Sequence, residues 1–341
     1  MRKEILFAII AGGILGLIIA FGIWRANSAF TSRFGKTGKG TPTPSPKAEF
    51  VITIASPTEN SVITESPVLI SGITKPSTLV AISSEEKDYF IQATENGSFE
   101  QKVELVGGIN EIIFTAFDEK GTEATQRLNV IYSSEFAKTL KEEPATASPT
   151  PKPTTSTESA GSVREIVEEK IEAALKNPLA YLGTVTDISE ETLQIKSNGG
   201  EILQVATSPE TTFVKTGKTA KEIKFVDIAI GDFIVAMGYK NGNNVLDTKR
   251  ILVTDAPTPT SRKAIYAQVA TANKKDLTAK LVKTQTEVKI VPTTSVSVQL
   301  RKDGKLSKIK FADIAEGDIV VAVGSDENAS FEARSILVIK P

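Results

Sequence analysis

Neither cysteine nor histidine occurs anywhere in this 341-residue chain. The first absence excludes disulfides, thiolate nucleophiles and zinc–thiolate sites. The second excludes Ser-His-Asp and Cys-His catalysis and every histidine-ligated metal. Aromatic residues make up 6% of the chain and Trp24 is its sole tryptophan, so the material for sugar-stacking subsites is scarce. Charge of one sign is also missing, because 40 Lys+Arg stand against 41 Asp+Glu. Without a global field, partner choice falls to local patches. What survives is carboxylate, Lys, Tyr, Ser or Thr chemistry and oxygen-bound hard cations such as Ca2+. No catalytic, cofactor-binding or metal-binding residue is assigned, and no cofactor is implied.

One long uncharged run is present, from Ile5 to Trp24. About 20 apolar residues match a hydrocarbon core of roughly 30 Å, so the run predicts a transmembrane helix over residues 5–24 after a short tail, 1–4. Ala26 to Ala29 makes a poor cleavage site, which favours an uncleaved signal-anchor and a single-pass membrane protein. Arg2 and Lys3 precede the run, whereas Arg25, Arg33, Lys36 and Lys39 follow it, and that count alone places the remainder in the cytoplasm. The modules that follow are of a kind met on the outside of bacterial cells, and an extracytoplasmic placement is preferred. Ala8, Gly12, Gly16 and Ala20 recur every four residues, a small-residue stripe on which two such helices can pair as a homodimer; small residues are also simply common in membrane helices.

Two Pro/Thr/Ser-rich segments, 25–48 and 134–161, read as solvated spacers because proline denies backbone hydrogen bonds and little apolar area offsets ordering. An amphipathic helix is expected over 162–177, opened by Ser162 and Glu165 as a capping box and closed by Asn177-Pro178. A third linker, 255–262, divides the C-terminal part.

Residues 49–133 carry seven short alternating or β-branched runs punctuated by Ser56-Pro57, Lys75-Pro76, Asn96-Gly97, Gly107-Gly108 and Lys120-Gly121. Val68-x-Ile70-Ser71-Gly72-x-Thr74-x-Pro76, Asn96-Gly97-Ser98-Phe99 and Gly108-x-Asn110-x-Ile112 running to Ala116-x-Asp118 resemble the bacterial immunoglobulin-like domains of cell-surface proteins and of accessory modules in glycoside hydrolases. That resemblance implies a β-sandwich serving as a spacer or adhesive module, with no shared catalytic residues.

The C-terminal part holds one unit twice, at 178–254 and 263–341. Phe225-Val-Asp227-Ile-Ala-Ile-Gly231-Asp232 returns as Phe311-Ala-Asp313-Ile-Ala-Glu-Gly317-Asp318, and Arg250-Ile-Leu-Val253 as Arg334-Ser-Ile-Leu-Val338. Five or six strands and one helical turn per copy predict two tandem small β-barrels. The repeat resembles a small β-barrel domain of unknown function from bacterial envelope proteins, which implies an envelope setting and no established chemistry. The Asp227/Asp232 and Asp313/Asp318 pairs invite an acid/base or Ca2+ reading, but turn chemistry is the favoured one. Each copy also carries a basic segment: Lys215, Lys218, Lys221 and Lys224, then Arg301, Lys302, Lys305, Lys308 and Lys310.

The fold class expected is therefore mainly β, with an N-terminal transmembrane helix, an immunoglobulin-like sandwich, one helix and two barrels. The function expected is a non-enzymatic membrane-anchored envelope or surface protein that displays structural or ligand-binding modules to an envelope polymer or surface protein. A glycan-active envelope enzyme or its accessory subunit is the alternative. Polyanion or nucleic-acid capture through the basic segments is the third reading, with nucleic acid disfavoured because aromatic platforms are few.

Overall fold

The computed structural model describes residues 50–141, 177–217, 219–241 and 243–340. Phe50 to the C-terminus forms one compact unit. The expected spanning helix (5–24), the stripe Ala8, Gly12, Gly16 and Ala20 within it, the spacer 25–48 and the amphipathic helix over 162–177 lie outside the described residues, save for Asn177.

The first module has eight strands, one more than expected. A three-stranded sheet pairs β1 (Thr53–Ser56), β3 (Val68–Ile73) and β6 (Ser98–Val103); a five-stranded sheet runs β2-β8-β7-β4-β5, with β2 (Val62–Ile63), β4 (Leu79–Ser83), β5 (Asp88–Gln92), β7 (Gly108–Phe117) and β8 (Glu123–Tyr132). Between the sheets lie Ile70, Val80, Ile82, Phe99, Ile112, Phe114 and Val130. Asn96-Gly97 makes the β5–β6 turn, where Gly97 has φ 84° and a Cβ would sit 2.1 Å from the carbonyl oxygen of Thr74.

The first repeat forms a sheet in the order β11-β10-β9-β14-β15-β12-β13: β9 (Leu179–Ile188), β10 (Thr192–Lys196), β11 (Ile202–Ala206), β12 (Thr212–Lys215), β13 (Lys221–Ile223), β14 (Phe233–Lys240) and β15 (Leu246–Thr254). The second runs β17-β16-β20-β21-β18-β19: β16 (Lys263–Ala272), β17 (Leu277–Leu281), β18 (Glu287–Lys302), β19 (Lys305–Lys308), β20 (Ile319–Glu327) and β21 (Ser330–Ile339). Each sheet coils until distant strands meet, β11 on β15 and β17 on β18, and a two-stranded ribbon runs on beyond.

These findings correct the expected fold class. In place of a free immunoglobulin-like sandwich and two independent closed barrels, the described residues form a nearly all-β, solenoid-like succession of four sheets. Only one short α-helix is present among them, α1 (Ser134–Lys141), and none is long and apolar enough to cross a membrane. The single-pass anchor was expected over residues 5–24, outside the described residues, and no helix among the described residues supports it.

The physical reason is that the modules share backbone and core. Ser61 bridges Leu179, with the amide of Val62 donating to the carbonyl of Pro178 (3.0 Å) and that of Ala180 to the carbonyl of Asn60 (2.9 Å), so the first module's sheet passes into the first repeat. Val62, Ile131 and Phe136 then bury Ala180, Phe233, Val235 and Met237. On the other side Leu79, Ala81, Phe90 and Phe117 bury Ala264, Val321, Val323 and Leu337, with Phe117 stacked on Tyr266 at 5.6 Å. Strand register shows that both repeats dock with the same surface: Ala180, Leu182, Val235, Met237 and Leu252 of the first occupy the positions of Ala264, Tyr266, Val321, Val323 and Leu337 of the second.

α1 replaces the start of the expected spacer. Ser133 caps it by accepting the amide of Phe136 (3.2 Å), and Phe136 is fully buried in the first seam.

Both repeats carry a bulge in the β14–β15 and β20–β21 pairs, next to a glycine that no other residue can replace at that spacing. A Cβ on Gly238 would lie 2.1 Å from the Asp247 carbonyl oxygen, and one on Gly324 1.8 Å from that of Glu332. Gly238→Ala and Gly324→Ala are each expected to destabilise by about 2 kcal/mol through forced backbone movement. Urea unfolding of the wild type, followed by two spectroscopic probes, is expected to show one cooperative transition; separate transitions for the repeats would refute the shared core.

Candidate functional site

The duplicated Phe-x-Asp turn is the same construction in both copies. Phe225–Asp227 and Phe311–Asp313 are single 3-10 turns. Asp227 and Asp313 accept the amides of Lys224 (2.8 Å) and Lys310 (2.9 Å), while Asp232 and Asp318 accept those of Ala229 and Ala315 (both 2.9 Å). Gly231 and Gly317 take φ of 98° and 89°, and their amides reach Val185 and Val269 of the neighbouring strand. All four carboxylates thus face backbone donors. Among the described residues no group of three acidic side chains is placed to hold a metal ion. Phe225 and Phe311 pack half-buried against the repeat cores, Phe225 edge-on to Phe213 at 5.9 Å.

The basic segments are two-stranded ribbons. Lys215 and Lys221 lie opposite each other on β12 and β13, and Lys302 and Lys305 on β18 and β19, where like charges repel. Lys218 lies outside the described residues. Asp303 and Gly304, at φ 51° and 73°, close the second ribbon as a tight hairpin. Register equates Lys224 with Lys310 but Glu222 with Lys308, so the two ribbons are not electrostatic copies. Arg301 is held by the side chain of Gln92 in the first module. Lys302, Lys305, Lys308 and Lys310 have no ion pair among the described residues, leaving the second ribbon the stronger cationic surface.

Sequence comparison pairs Arg250 with Arg334, but the ladder does not. Arg250 pairs with Met237 as Ser335 pairs with Val323, and the bulged residues Lys249 and Arg334 are the true counterparts. Lys249 reaches Glu210 at 3.5 Å. Arg334 crosses the seam instead: its Nε donates to Asp88 Oδ2 (2.9 Å), and Nη2 to Asp88 Oδ1, the Ser84 carbonyl and the Ser83 hydroxyl (3.2 Å). Arg262, from the end of the third linker, donates to the Ser84 carbonyl, to Glu85 Oε1 (2.8 Å) and to the Glu111 carbonyl (2.9 Å). Burial pushes the Arg262 guanidinium below its ordinary range, Glu85 opposes that shift, and the like charge of Arg334 adds to it. Nothing in the sequence links residues 83–88 to 262 and 334, so this clamp was invisible there.

A cleft of about 730 Å3 opens between the first module, the first repeat and Pro257–Pro259. Its carboxylates are largely committed: Glu59 accepts the amide and side chain of Asn129 (3.1 and 2.9 Å), Glu85 pairs with Arg262, and Glu111 with Arg127. The Tyr181 hydroxyl donates to the Asn244 carbonyl at 2.9 Å; burial and then the charge of Glu201 push its phenol up.

No protein-family description matches the chain, and no curated protein does. Among solved structures, a tetra-tandem repeat from the extending region of a large adhesion protein aligns at 14% identity, over 85% of this chain and 72% of the other, with a TM-score of 0.21. A Ca2+-stabilized adhesin with which an Antarctic bacterium binds ice aligns at 13% identity, over 85% and 74%, at 0.18. A 1.5-MDa bacterial ice-binding adhesin aligns at 10% identity, over 86% and 97%, also at 0.18. Superpositions this distant carry no argument about this chain.

The side chain of Asp88 is 1% exposed, so removing its partner strands a charge in the seam. Arg334→Ala is expected to destabilise by about 3 kcal/mol, whereas Arg334→Ala with Asp88→Asn recovers part of that loss. Chemical denaturation of the wild type, Arg334→Ala, Asp88→Asn and the double variant measures the coupling.

Proposed function

We propose that this protein is a non-enzymatic scaffold of the cell envelope or cell surface, in which three β modules are welded into one stiff body that holds its basic ribbons and turns outward. The observation that carries this reading is the double docking of the repeats on the first module, reinforced by the Arg262/Arg334 clamp. Burying two apolar faces and several arginine contacts to fix module orientation makes sense for a spacer or display element. The four motif aspartates each give an oxygen to a backbone amide, which supports a structural role for them in place of glycan hydrolysis. Shaving intact cells with a protease and probing for the second repeat tests the location: loss of the signal is expected, and protection in cells whose known surface proteins are stripped would refute it.

A second reading is polyanion capture by the ribbon Gln299–Lys308, supported by Lys302, Lys305 and Lys308 and the following Lys310, which are exposed and have no ion pair among the described residues. Retention on immobilised polyphosphate is expected to fall steeply with salt. Lys302→Gln/Lys305→Gln/Lys308→Gln is expected to abolish it, and salt-independent retention would refute the reading.

A further inference from the structure

The first repeat has a second exposed feature that the ribbons do not explain. Val226 is 81% exposed and Ile230 66%, both on the turn that follows Lys224, while Ile228 between them is buried in the repeat core. The turn is rigid, pinned by the Asp227 and Asp232 carboxylates and by the amide of Gly231. The backbone does not demand aliphatic side chains there. In the second repeat the same hydrogen bonds form around Ala312 and Glu316, with Ile314 buried in place of Ile228. One copy therefore presents two bare aliphatic side chains where the other presents a methyl group and a carboxylate.

The charges around the turn select the partner. Lys224 directly precedes it, and Lys221 and Lys215 face each other on the ribbon that leads into it; all three are exposed. Asp227 and Asp232 each turn one carboxylate oxygen to a backbone amide, and Glu222 sits between Lys221 and Ile223 on the same ribbon. Protruding aliphatic side chains that follow exposed lysines along the chain suit a surface with an anionic rim and an apolar interior. A soluble polyanion would use the lysines and leave Val226 and Ile230 in water.

We propose that the Val226/Ile230 turn of the first repeat is a peripheral contact for an anionic lipid surface, its aliphatic side chains entering the interface and its lysines meeting the headgroups. The equivalent turn of the second repeat, which has Ala312 and Glu316 in place of the aliphatic pair, is the internal control; the exposed Leu306 of that repeat lies on its ribbon.

Because the chain contains no cysteine, Ala229→Cys and Ala315→Cys each give a single labelling site at equivalent exposed positions beside the two turns. An environment-sensitive fluorophore on the full chain at either position is titrated with vesicles of phosphatidylcholine, with and without phosphatidylglycerol. A blue shift is expected at position 229 with phosphatidylglycerol vesicles only, weakened by salt, and none at position 315. This local readout is independent of lipid binding elsewhere in the chain. Adding Val226→Ala/Ile230→Glu, the residues the second repeat already uses, is expected to weaken the titration about tenfold or more, with the urea transition unchanged. Absence of a shift at 229, equal shifts at both positions, an equal response to soluble polyphosphate, or a shift that grows with protein concentration without vesicles would each overturn the proposal.

Discussion

Everything in this molecule depends on the five-stranded sheet of the first module being apolar on both faces. Val80, Ile82, Ile112 and Phe114 face the three-stranded sheet, while Leu79, Ala81 and Phe117 face the second repeat. Ile109 and Ile131 at the other end of the sheet face the first repeat. An antiparallel sheet with one wet face would have left the repeats as beads on a string; one covered twice becomes the central layer of a larger body. The seam arginines, Arg262 buried and Arg334 partly so, follow from this. A guanidinium at such a seam is tolerated because Asp88, Glu85 and several carbonyls meet it, and those contacts fix the docking angle that apolar packing leaves loose.

How much of this was legible in the sequence depends on the range of the interaction. The strands of residues 49–133, the duplication and the Gly-Asp turns follow from local pattern, because period-two alternation and turn residues act within a few positions. The assembly was not. Yet the signal lay in plain sight: Leu79–Ser83 is buried at every position, and the run Ile112–Phe117 has no polar alternation beyond Thr115. A strand apolar on both sides announces a second covering layer, and reading it as one sheet of a free sandwich lost that information. Phe136 was lost for a related reason, since the proline-rich run that follows it drew the whole segment into a spacer. The clamp, joining residues some 180 and 250 positions apart, leaves no trace in a single sequence.

The repeats illustrate how a duplicated unit divides its labour. The parts that build the unit are held in common: the buried isoleucine under the turn, the four aspartates and the glycine at the bulge. The parts that meet something else have drifted. At the bulge the first copy has Lys249, which pairs with Glu210, and the second has Arg334, which reaches Asp88 in the neighbouring module. At the turn Ala312 and Glu316 stand where the first copy has Val226 and Ile230. Sequence identity between copies marks the scaffold, and differences at equivalent exposed positions mark the places to look for function.

Because both repeats dock through the same three strands, each is a competitor for the other's place on the first module. Correct assembly is then a matter of discrimination between two similar surfaces, resting on Met237 in one copy against Val323 in the other, and on which copy carries an arginine at its bulge. At high concentration a repeat from one molecule can occupy the seat vacated in another, so open-ended swapped chains are the characteristic misassembly this architecture invites.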